Sequence, residues 1–436
     1  DGEIEYRMAE SFTTDDGGQT FELKLRPGLV FSDGTPLNAE AVKFNWDRMK
    51  DPATGSSYRG YAAMIDSTEV VDDLTLRVTM VQPMPQYAYA ITITAMNWIA
   101  SPAALQAGRQ AFDENPIGAG PFTLESWTRQ GEIRMVRNPK YWDAPKPYLD
   151  RLTLRRSNEA SQRYNTVLTG GADFASETNW EFLSKARDAG LAIVVQSPNG
   201  GTYLALNTRR PPFDDVRARQ ALAAALDMEA LNLAVYAGTA KVADTLFDES
   251  SPFYSDIPLR TTDREKAQRL FDELAAEGRP VSFTYTSFSS SESRGIAENI
   301  QAQLSSFDNV NVEIRTVDQA EMGRLTATGE FNLLVNSALF QDPEPVLGNI
   351  LGGRSQANQS GIDDPALNEA LEAGRTAASA EERKAAYARV QQRLAELTPV
   401  IFMVRAAPSV IAGRHVGGIV LYGMGSPLPE EMWLQK

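Results

Sequence analysis

The amino-acid sequence predicts an α/β protein built from two lobes, one rich in antiparallel strands and one in which helices and strands alternate. The chain has 436 residues, more than a single hydrophobic core usually serves. Apolar and polar residues alternate with a period of two through the first third, as in strands that bury one face. From residue 150 onward, helical and strand patterns follow one another, which indicates a largely parallel sheet.

Short strands joined by turns are predicted for the first third of the chain. Strand alternation is clear at 21–25, 74–80 and 133–135, and Arg26-Pro27-Gly28 ends the first of these runs. Asn38 is placed to cap a helix that continues through Lys50. Two closely spaced prolines then precede a strand at 152–154, and we place a soft boundary there.

Helix starts are the clearest signals in the remainder. Two prolines followed by Asp214 and Asp215 predict a helix, because these side chains can accept hydrogen bonds from free amide groups. Asp263 is placed to cap a second helix, and Ser379 with Glu382 forms a capping box for a late one. Strands are predicted between the helices at 281–288, 310–314 and 331–336.

Composition excludes several classes of chemistry. The chain contains no cysteine and one histidine, so thiolate metal sites, cysteine nucleophiles and multi-histidine zinc sites cannot be built. Its net charge of −15 repels phosphate backbones and anionic lipid headgroups. We therefore expect no nucleic-acid partner, no metal and no cofactor.

A few residues allow chemistry but have structural explanations. Asp342 and Glu344 could form the carboxylate pair of a glycosidase, which is the alternative function from the enzyme class. The prolines beside them favour a turn in which Asp342 caps the next helix. His415 is interpreted as a structural histidine in a turn between two apolar strands. Trp98, placed in a strand, suits the core and a ligand pocket equally well.

Four ordered motifs resemble family 5 solute-binding proteins, the peptide- and nickel-type receptors of ABC importers. The first contains L-R-P-G followed by F-S-D-G-T-P-L-N-A-E-A-V. The second is N-P-I-G-A-G-P-F, in which Ala119 replaces the usual Thr, and the third is R-N-P-K-Y-W. The most characteristic block begins L-N-T and continues P-F-D-D-V-R-A-R-Q-A-L. Together they lie at 25–42, 115–122, 137–142 and 206–222.

The resemblance implies a two-lobed periplasmic-binding-protein-like fold with mixed sheets, a hinge cleft and an extra subdomain on the first lobe. The extra subdomain would be 1–147, the first lobe 148–239 with 409–436, and the second lobe 240–408. Relatives carry a further leading segment with the first strand of lobe one, so we expect this chain to be a fragment of a longer precursor.

The implied function is capture of a peptide or other small solute by hinge closure, and delivery to an ABC permease complex without catalysis. A monomer is expected, in the periplasm or anchored by lipid at the cell surface. A role as a sensor instead of an importer component remains an alternative, because sequence does not separate the two.

Ligand-facing positions carry over from relatives by alignment. Relatives that bind dipeptides use an Asp for the ligand amine and an Arg for its carboxylate, and these positions fall here at Leu339 and Ser287. Burying a free dipeptide there would leave charges unpaired, so we expect longer peptides or a neutral or cationic solute. Glu177 could face a cation. The full set is Trp98, Phe174, Ser176, Glu177, Tyr203, Ser287, Asn336, Ser337, Leu339, Phe340 and Gln341.

Overall fold

The computed structural model describes residues 3–56, 58–377 and 379–435 and divides the chain into two compact units. Unit one comprises Asp1–Ser157, Gly170–Phe174 and Ala412–Lys436. Unit two comprises Asn158–Thr169 and Ala175–Ile411. None of the helices in the described ranges combines the length and hydropathy needed to cross a membrane.

Strands and helices alternate as follows. The strands are β1 (Ala9–Thr13), β2 (Thr20–Leu25), β3 (Ile65–Asp72), β4 (Thr75–Met80), β5 (Phe122–Trp127), β6 (Glu132–Arg137), β7 (Arg151–Arg155), β8 (Phe174–Glu177), β9 (Ala192–Val195), β10 (Asn199–Leu206), β11 (Val281–Phe288), β12 (Val310–Val317), β13 (Leu333–Phe340), β14 (Val400–Val404), β15 (Ser409–Ala412), β16 (Val416–Gly417), β17 (Leu421–Tyr422), β18 (Ser426–Pro427) and β19 (Trp433–Leu434). The helices are α1 (Ala39–Met49), α2 (Arg59–Ala62), α3 (Tyr87–Thr92), α4 (Pro102–Gln106), α5 (Arg109–Glu114), α6 (Ala160–Leu168), α7 (Trp180–Asp188), α8 (Val216–Ala225), α9 (Met228–Tyr236), α10 (Arg264–Ala276), α11 (Ser291–Leu304), α12 (Gln319–Thr328), α13 (Val346–Leu351), α14 (Pro365–Thr376) and α15 (Ala380–Leu397).

Unit one is built on an antiparallel sheet of order β1-β2-β4-β3. Phe21 pairs with Val78 and Leu23 with Leu76 across β2 and β4, so the predicted alternation puts one row of side chains in the core. Helix α1 packs on this face through the buried Trp46. A second antiparallel sheet of order β5-β6-β7 completes the predicted strand-rich part.

Unit two is built on a five-stranded sheet of order β12-β11-β13-β10-β14. β11 runs parallel to β12 and β13, whereas β10 lies antiparallel to both β13 and β14. Each face of this sheet carries its own hydrophobic core. The α/β character predicted for this part of the sequence is confirmed.

The helix caps predicted at Asn38, Asp215, Asp263 and Ser379 are confirmed. Asn38 accepts a hydrogen bond from the amide of Ala41 at the start of α1, and Asp215 and Asp263 cap α8 and α10 in the same way. Ser379 and Glu382 form both hydrogen bonds of a capping box at α15. These caps could be predicted from the sequence because capping depends on residues that are neighbours in the chain.

The expected lobe boundary at residue 239 does not follow the sheet. β10 falls within 148–239, yet it pairs with β13 and β14, which the expected division assigns to 240–408. Residues 175–411 accordingly belong to one compact unit. The physical reason is that a strand belongs with the strands to which its backbone is hydrogen-bonded, and no local pattern reveals those partners.

Candidate functional site

The carboxyl ends of β11 and β13 meet at a switch in sheet topology. From β11 the chain passes through α11 to β12 on one side, and it returns through α12 to β13 on the other side. After β13 it continues beyond β10 to reach β14. Open α/β sheets bind ligands where connections diverge in this manner, outside the carboxyl ends of the strands.

At this switch, β13 extends past the end of β11. Thr286 lies opposite Leu334 in the parallel register, so Phe288, the last residue of β11, is level with Asn336. Residues 337–340 pair with β10 on one side, and no strand of the described ranges pairs with them on the other. We call residues 337–340 the β13 edge. The strand β13 thus continues to Phe340, beyond the predicted strand, which ended at 336.

The first backbone amide of the β13 edge is hydrogen-bonded to a neighbouring side chain. The amide of Ser337 donates to Asn336 Oδ1 at 2.8 Å, a contact typical of an amide with no strand beside it. Asn336 Nδ2 in turn donates to Gln359 Oε1 at 2.7 Å. Ser337 is exposed, and its hydroxyl lies 3.4 Å from that of Thr202 on β10. An added strand would have to displace the Asn336 side chain from this amide.

Four of the residues expected to face a solute lie near the end of β13 or β11, and they differ in how far they are buried. Leu339 and Gln341 are partly buried, and the Gln341 carbonyl accepts a hydrogen bond from Asn199 Nδ2 at 2.9 Å. Ser287 is buried, and its hydroxyl donates to the carbonyl of Ser293 at 3.1 Å. That bond ties the end of β11 to the first turn of α11. Phe340 lies in the core.

Tyr203 and Phe340 face inward, contrary to the expectation that they face a solute. Tyr203 is 3% exposed and its ring lies tilted against that of Phe402, and Phe340 is 1% exposed with its ring against Phe247. Both belong to one hydrophobic core of unit two. The cause is that β10 and β13 are interior strands with both faces covered, so side chains on either face are buried.

Glu177 is already paired, which corrects the expectation that it could face a cation. Its carboxylate accepts hydrogen bonds from Arg163 Nε at 3.0 Å and Arg163 Nη2 at 2.7 Å. The amides of Thr178 and Asn179 also donate to it. Glu177 is 1% exposed, so it stabilises the turn after β8. Of its neighbours on β8, Ser176 is exposed and Phe174, which belongs to unit one, is partly buried.

Glu292 is a polar residue of this region that sequence analysis missed. Its carboxylate accepts hydrogen bonds from Tyr236 Oη at 2.8 Å and from Asn179 Nδ2 at 3.1 Å. It lies in the first turn of α11, where a negative charge is favourable. Only its position after the predicted strand 281–288 could have indicated a role, and many surface glutamates share that feature.

Asp342 and Glu344 form a buried cluster with α15. Arg383 donates two hydrogen bonds to Asp342, at 2.9 and 2.7 Å. The expected cap is wrong, because the N-cap residue of α13 is Pro345 and no side chain in the described part of the chain caps this helix. Tyr387 Oη donates to Glu344 Oε1 at 2.9 Å. Burial, countered by the Tyr387 hydrogen bond and reinforced by the charge of Asp342, raises the pKa of Glu344 to about 7. A glycosidase pair must reach sugar and water, and these two carboxyl groups are only 9% and 3% exposed.

Trp98 lies in unit one on the surface and not in a strand. It follows a 3-10 helix at Ala95–Asn97 and is 64% exposed. Its ring meets that of Tyr422 edge to face at a centroid distance of 6.5 Å. Of the two interpretations, core and pocket, the exposure removes the first.

Metal chemistry finds no support within the described ranges. No group of three or more His, Cys, Asp or Glu side chains there could hold a metal ion. His415 lies in the expected turn, where its Nε2 is 2.8 Å from Asp173 Oδ1, and both residues are substantially exposed.

Comparisons with known proteins agree with this fold. The glutathione-binding protein GsiB of Escherichia coli strain K12 is 30% identical over 318 residues, which cover 72% of this chain and 61% of the relative. The matched chain thus spans less than two thirds of the length of such curated relatives. These relatives are described as glutathione-binding proteins.

Two solved structures share the fold at low identity. The periplasmic binding protein DppA from Helicobacter pylori, in complex with the peptide STSA, has a TM-score of 0.87 and 23% identity, covering 100% of this chain and 90% of that chain. A dipeptide-binding protein from Pseudoalteromonas sp. SM9913, in complex with Met-Leu, has a TM-score of 0.86 and 22% identity, covering 99% and 91%.

The family match extends over most of the chain. Residues 3–358 match the family described as bacterial extracellular solute-binding proteins, family 5 middle. The motifs that carried the resemblance all lie inside this range. The chain therefore belongs to family 5 of the bacterial extracellular solute-binding proteins.

Proposed function

We propose that this chain captures a peptide or peptide-like solute outside the cytoplasm and delivers it to an ABC importer. Membership of family 5 supports the transport role. The bound peptides of two structural neighbours and the glutathione named for the curated relatives support the solute class. A monomer and a permease complex as partner belong to the same proposal.

The observation that carries the proposal is the β13 edge at the topological switch. An extended peptide can add to an open strand edge through main-chain hydrogen bonds, which suit any sequence. Among the residues that the structure describes, the amide of Ser337 donates to a neighbouring side chain, so it can be transferred to a peptide carbonyl at small cost. Recognition of this kind depends on the peptide backbone more than on its terminal charges.

Charge at this edge favours a solute that does not rely on buried terminal charges. The sequence resemblance implies that Leu339 and Ser287 fall where relatives that bind dipeptides place charged side chains. The carboxylate of Glu177 is paired with Arg163. A dipeptide bound only through its terminal charges would leave them unpaired at a cost of several kcal/mol. Tripeptides and longer peptides, glutathione among them, present more backbone amide groups to the β13 edge.

Native mass spectrometry of the freshly purified protein tests the proposal, with any co-purified molecule released and identified. A ladder of peptides, or glutathione, would support capture of peptide-like solutes. A single non-peptide species would contradict the solute class. An empty protein whose melting temperature does not change with glutathione or with tripeptides would contradict capture itself.

A further inference from the structure

Glu344 is a buried carboxyl group that forms no ion pair with any residue of the described ranges. It is 3% exposed, lies two residues after the buried Asp342, and packs against Gly348 of α13. Its hydrogen bond from Tyr387 on α15 is 2.9 Å long. Arg383, the cation nearest to this pair of acids, gives both of its terminal nitrogens to Asp342.

The groups around Glu344 oppose its ionisation on balance. Burial and the charge of Asp342 raise the pKa, while the Tyr387 hydrogen bond and the charges of Arg375 on α14 and Arg383 on α15 lower it. Arg375 is itself held by Glu372. The net result is a pKa of about 7, well above that of a glutamate in water.

Opening of the segment that carries Glu344 would expose an ionised Glu344 carboxylate to water. Residues 341–345 have no regular secondary structure, and they connect the β13 edge to α13. Their hold on α15 runs through Asp342 and Glu344, because these side chains bind Arg383 and Tyr387. If Glu344 ionises in place, its charge is unpaired and faces Asp342, whereas in an open segment water solvates it.

We propose that a proton on Glu344 helps to keep residues 341–345 closed against α15, and that loss of this proton makes opening of the segment more frequent. The device requires no solute. A consequence for solute retention at the adjoining β13 edge rests on the proposed function: retention would be stronger in acidic surroundings.

Hydrogen exchange at several pH values tests this device on the whole chain. The exchange of peptides covering 341–352 is measured between pH 5 and 8 and corrected for the intrinsic pH dependence of exchange. Opening should become about tenfold more frequent per pH unit up to pH 7, because the open carboxyl group ionises in water and the closed one does not, and then level off. Peptides covering β11 serve as an internal control and should show no such dependence.

Two variants separate this device from general loosening. Glu344→Gln keeps the shape and the acceptor for Tyr387, and its opening should be independent of pH. Tyr387→Phe removes a hydrogen bond that favours the ionised form of Glu344 in the closed segment. The frequency of opening in this variant should therefore continue to rise above pH 7. Equal pH dependence in the wild type and Glu344→Gln would overturn the proposal, whether or not the protein binds peptides.

Discussion

The buried pair of Asp342 and Arg383 is an interaction that sequence analysis missed. Side-chain exposures of 6% and 9% leave little water to screen it. Arg383 also lies over the ring of Phe253, at 4.9 Å from the ring centroid. Loss of one partner would leave the other charge buried and uncompensated, which is more costly than loss of the pair.

Asp342→Asn should therefore destabilise the protein by about 3 kcal/mol, since it leaves the Arg383 charge unpaired. Urea unfolding followed by circular dichroism measures this change. Glu181→Gln is the matched control, because Glu181 binds Lys185 on the exposed face of α7 and should contribute less than about 1 kcal/mol. Equal effects of the two substitutions would contradict the role of burial.

Glu344 should also affect the stability of the whole protein. Its pKa is about 7 in the folded protein, above that of the unfolded chain, so the folded state binds the proton more tightly. Its stabilising contribution is complete below pH 4.5 and is lost as pH rises to 7, by about 1.4 kcal/mol per pH unit. The unfolding free energy of the wild type minus that of Glu344→Gln, measured from pH 5 to 8, should fall with this slope up to pH 7 and then level off. A constant difference would be evidence against the raised pKa.

At the scale of elements, the beginning of β10 depends on a close backbone approach. Gly200 has φ +75°, and a Cβ there would lie 2.2 Å from the carbonyl oxygen of Ala338 on β13. Arg405, the residue after β14, donates a hydrogen bond to the Gly200 carbonyl at 2.8 Å and so holds the beginning of β10 in place. Both the backbone conformation and the neighbouring strand therefore require glycine.

Gly200→Ala should destabilise the protein by more than about 3 kcal/mol, because backbone strain and steric overlap add. Gly278→Ala is the control in the same unit, since Gly278 has φ +77° and its Cβ would meet no described atom within 4 Å. It should cost only about 1 kcal/mol. If urea unfolding gave equal costs for both, close packing at Gly200 would not matter.

The β13 edge gives a test that separates backbone from side chain. Ser337→Pro removes the amide at the open edge and should weaken peptide binding at least tenfold, since proline cannot donate. Ser337→Ala keeps the amide and should bind as the wild type does. Binding of tri-alanine, measured by titration calorimetry, compares the two. Unchanged binding by a folded Ser337→Pro variant would exclude this edge as the peptide site.

Local signals made most of unit one predictable, whereas long-range pairing limited the prediction of unit two. Phe21, Leu23 and Leu25 alternate visibly because only one face of β2 is buried. Tyr203 carries no such signal, since β10 is buried on both faces. Strand pairing of β10 with β13 and β14 joins residues far apart in the chain, which is why the boundary at 239 was misplaced.

For the site, sequence could indicate the region but not the contacts. The resemblance placed expected residues on β13 and at the end of β11, where the topological switch lies. It could not reveal that Glu177 is neutralised by Arg163 or that Asp342 binds Arg383, because no pattern links an acid to a partner on a distant helix. The length of β13 beyond β11 depends on register, which the sequence does not disclose.

At the scale of the whole molecule, charge and fold agree with a solute receptor. A net charge of −15 is unfavourable for binding nucleic acid or anionic lipid. The two units each have a hydrophobic core, and the second carries the open edge of β13. A ligand that binds only the folded state adds about 2.7 kcal/mol at a hundredfold excess over its dissociation constant, so capture has a measurable signature.

Titration calorimetry with glutathione and with tri-alanine, after removal of any co-purified molecule by unfolding and refolding, tests the central claim most directly. We expect saturable binding of at least one of them with one site per chain, and a melting temperature that rises with its concentration. Absence of heat and of thermal stabilisation with both compounds at millimolar concentration, in protein with native circular dichroism, would contradict peptide capture by this chain.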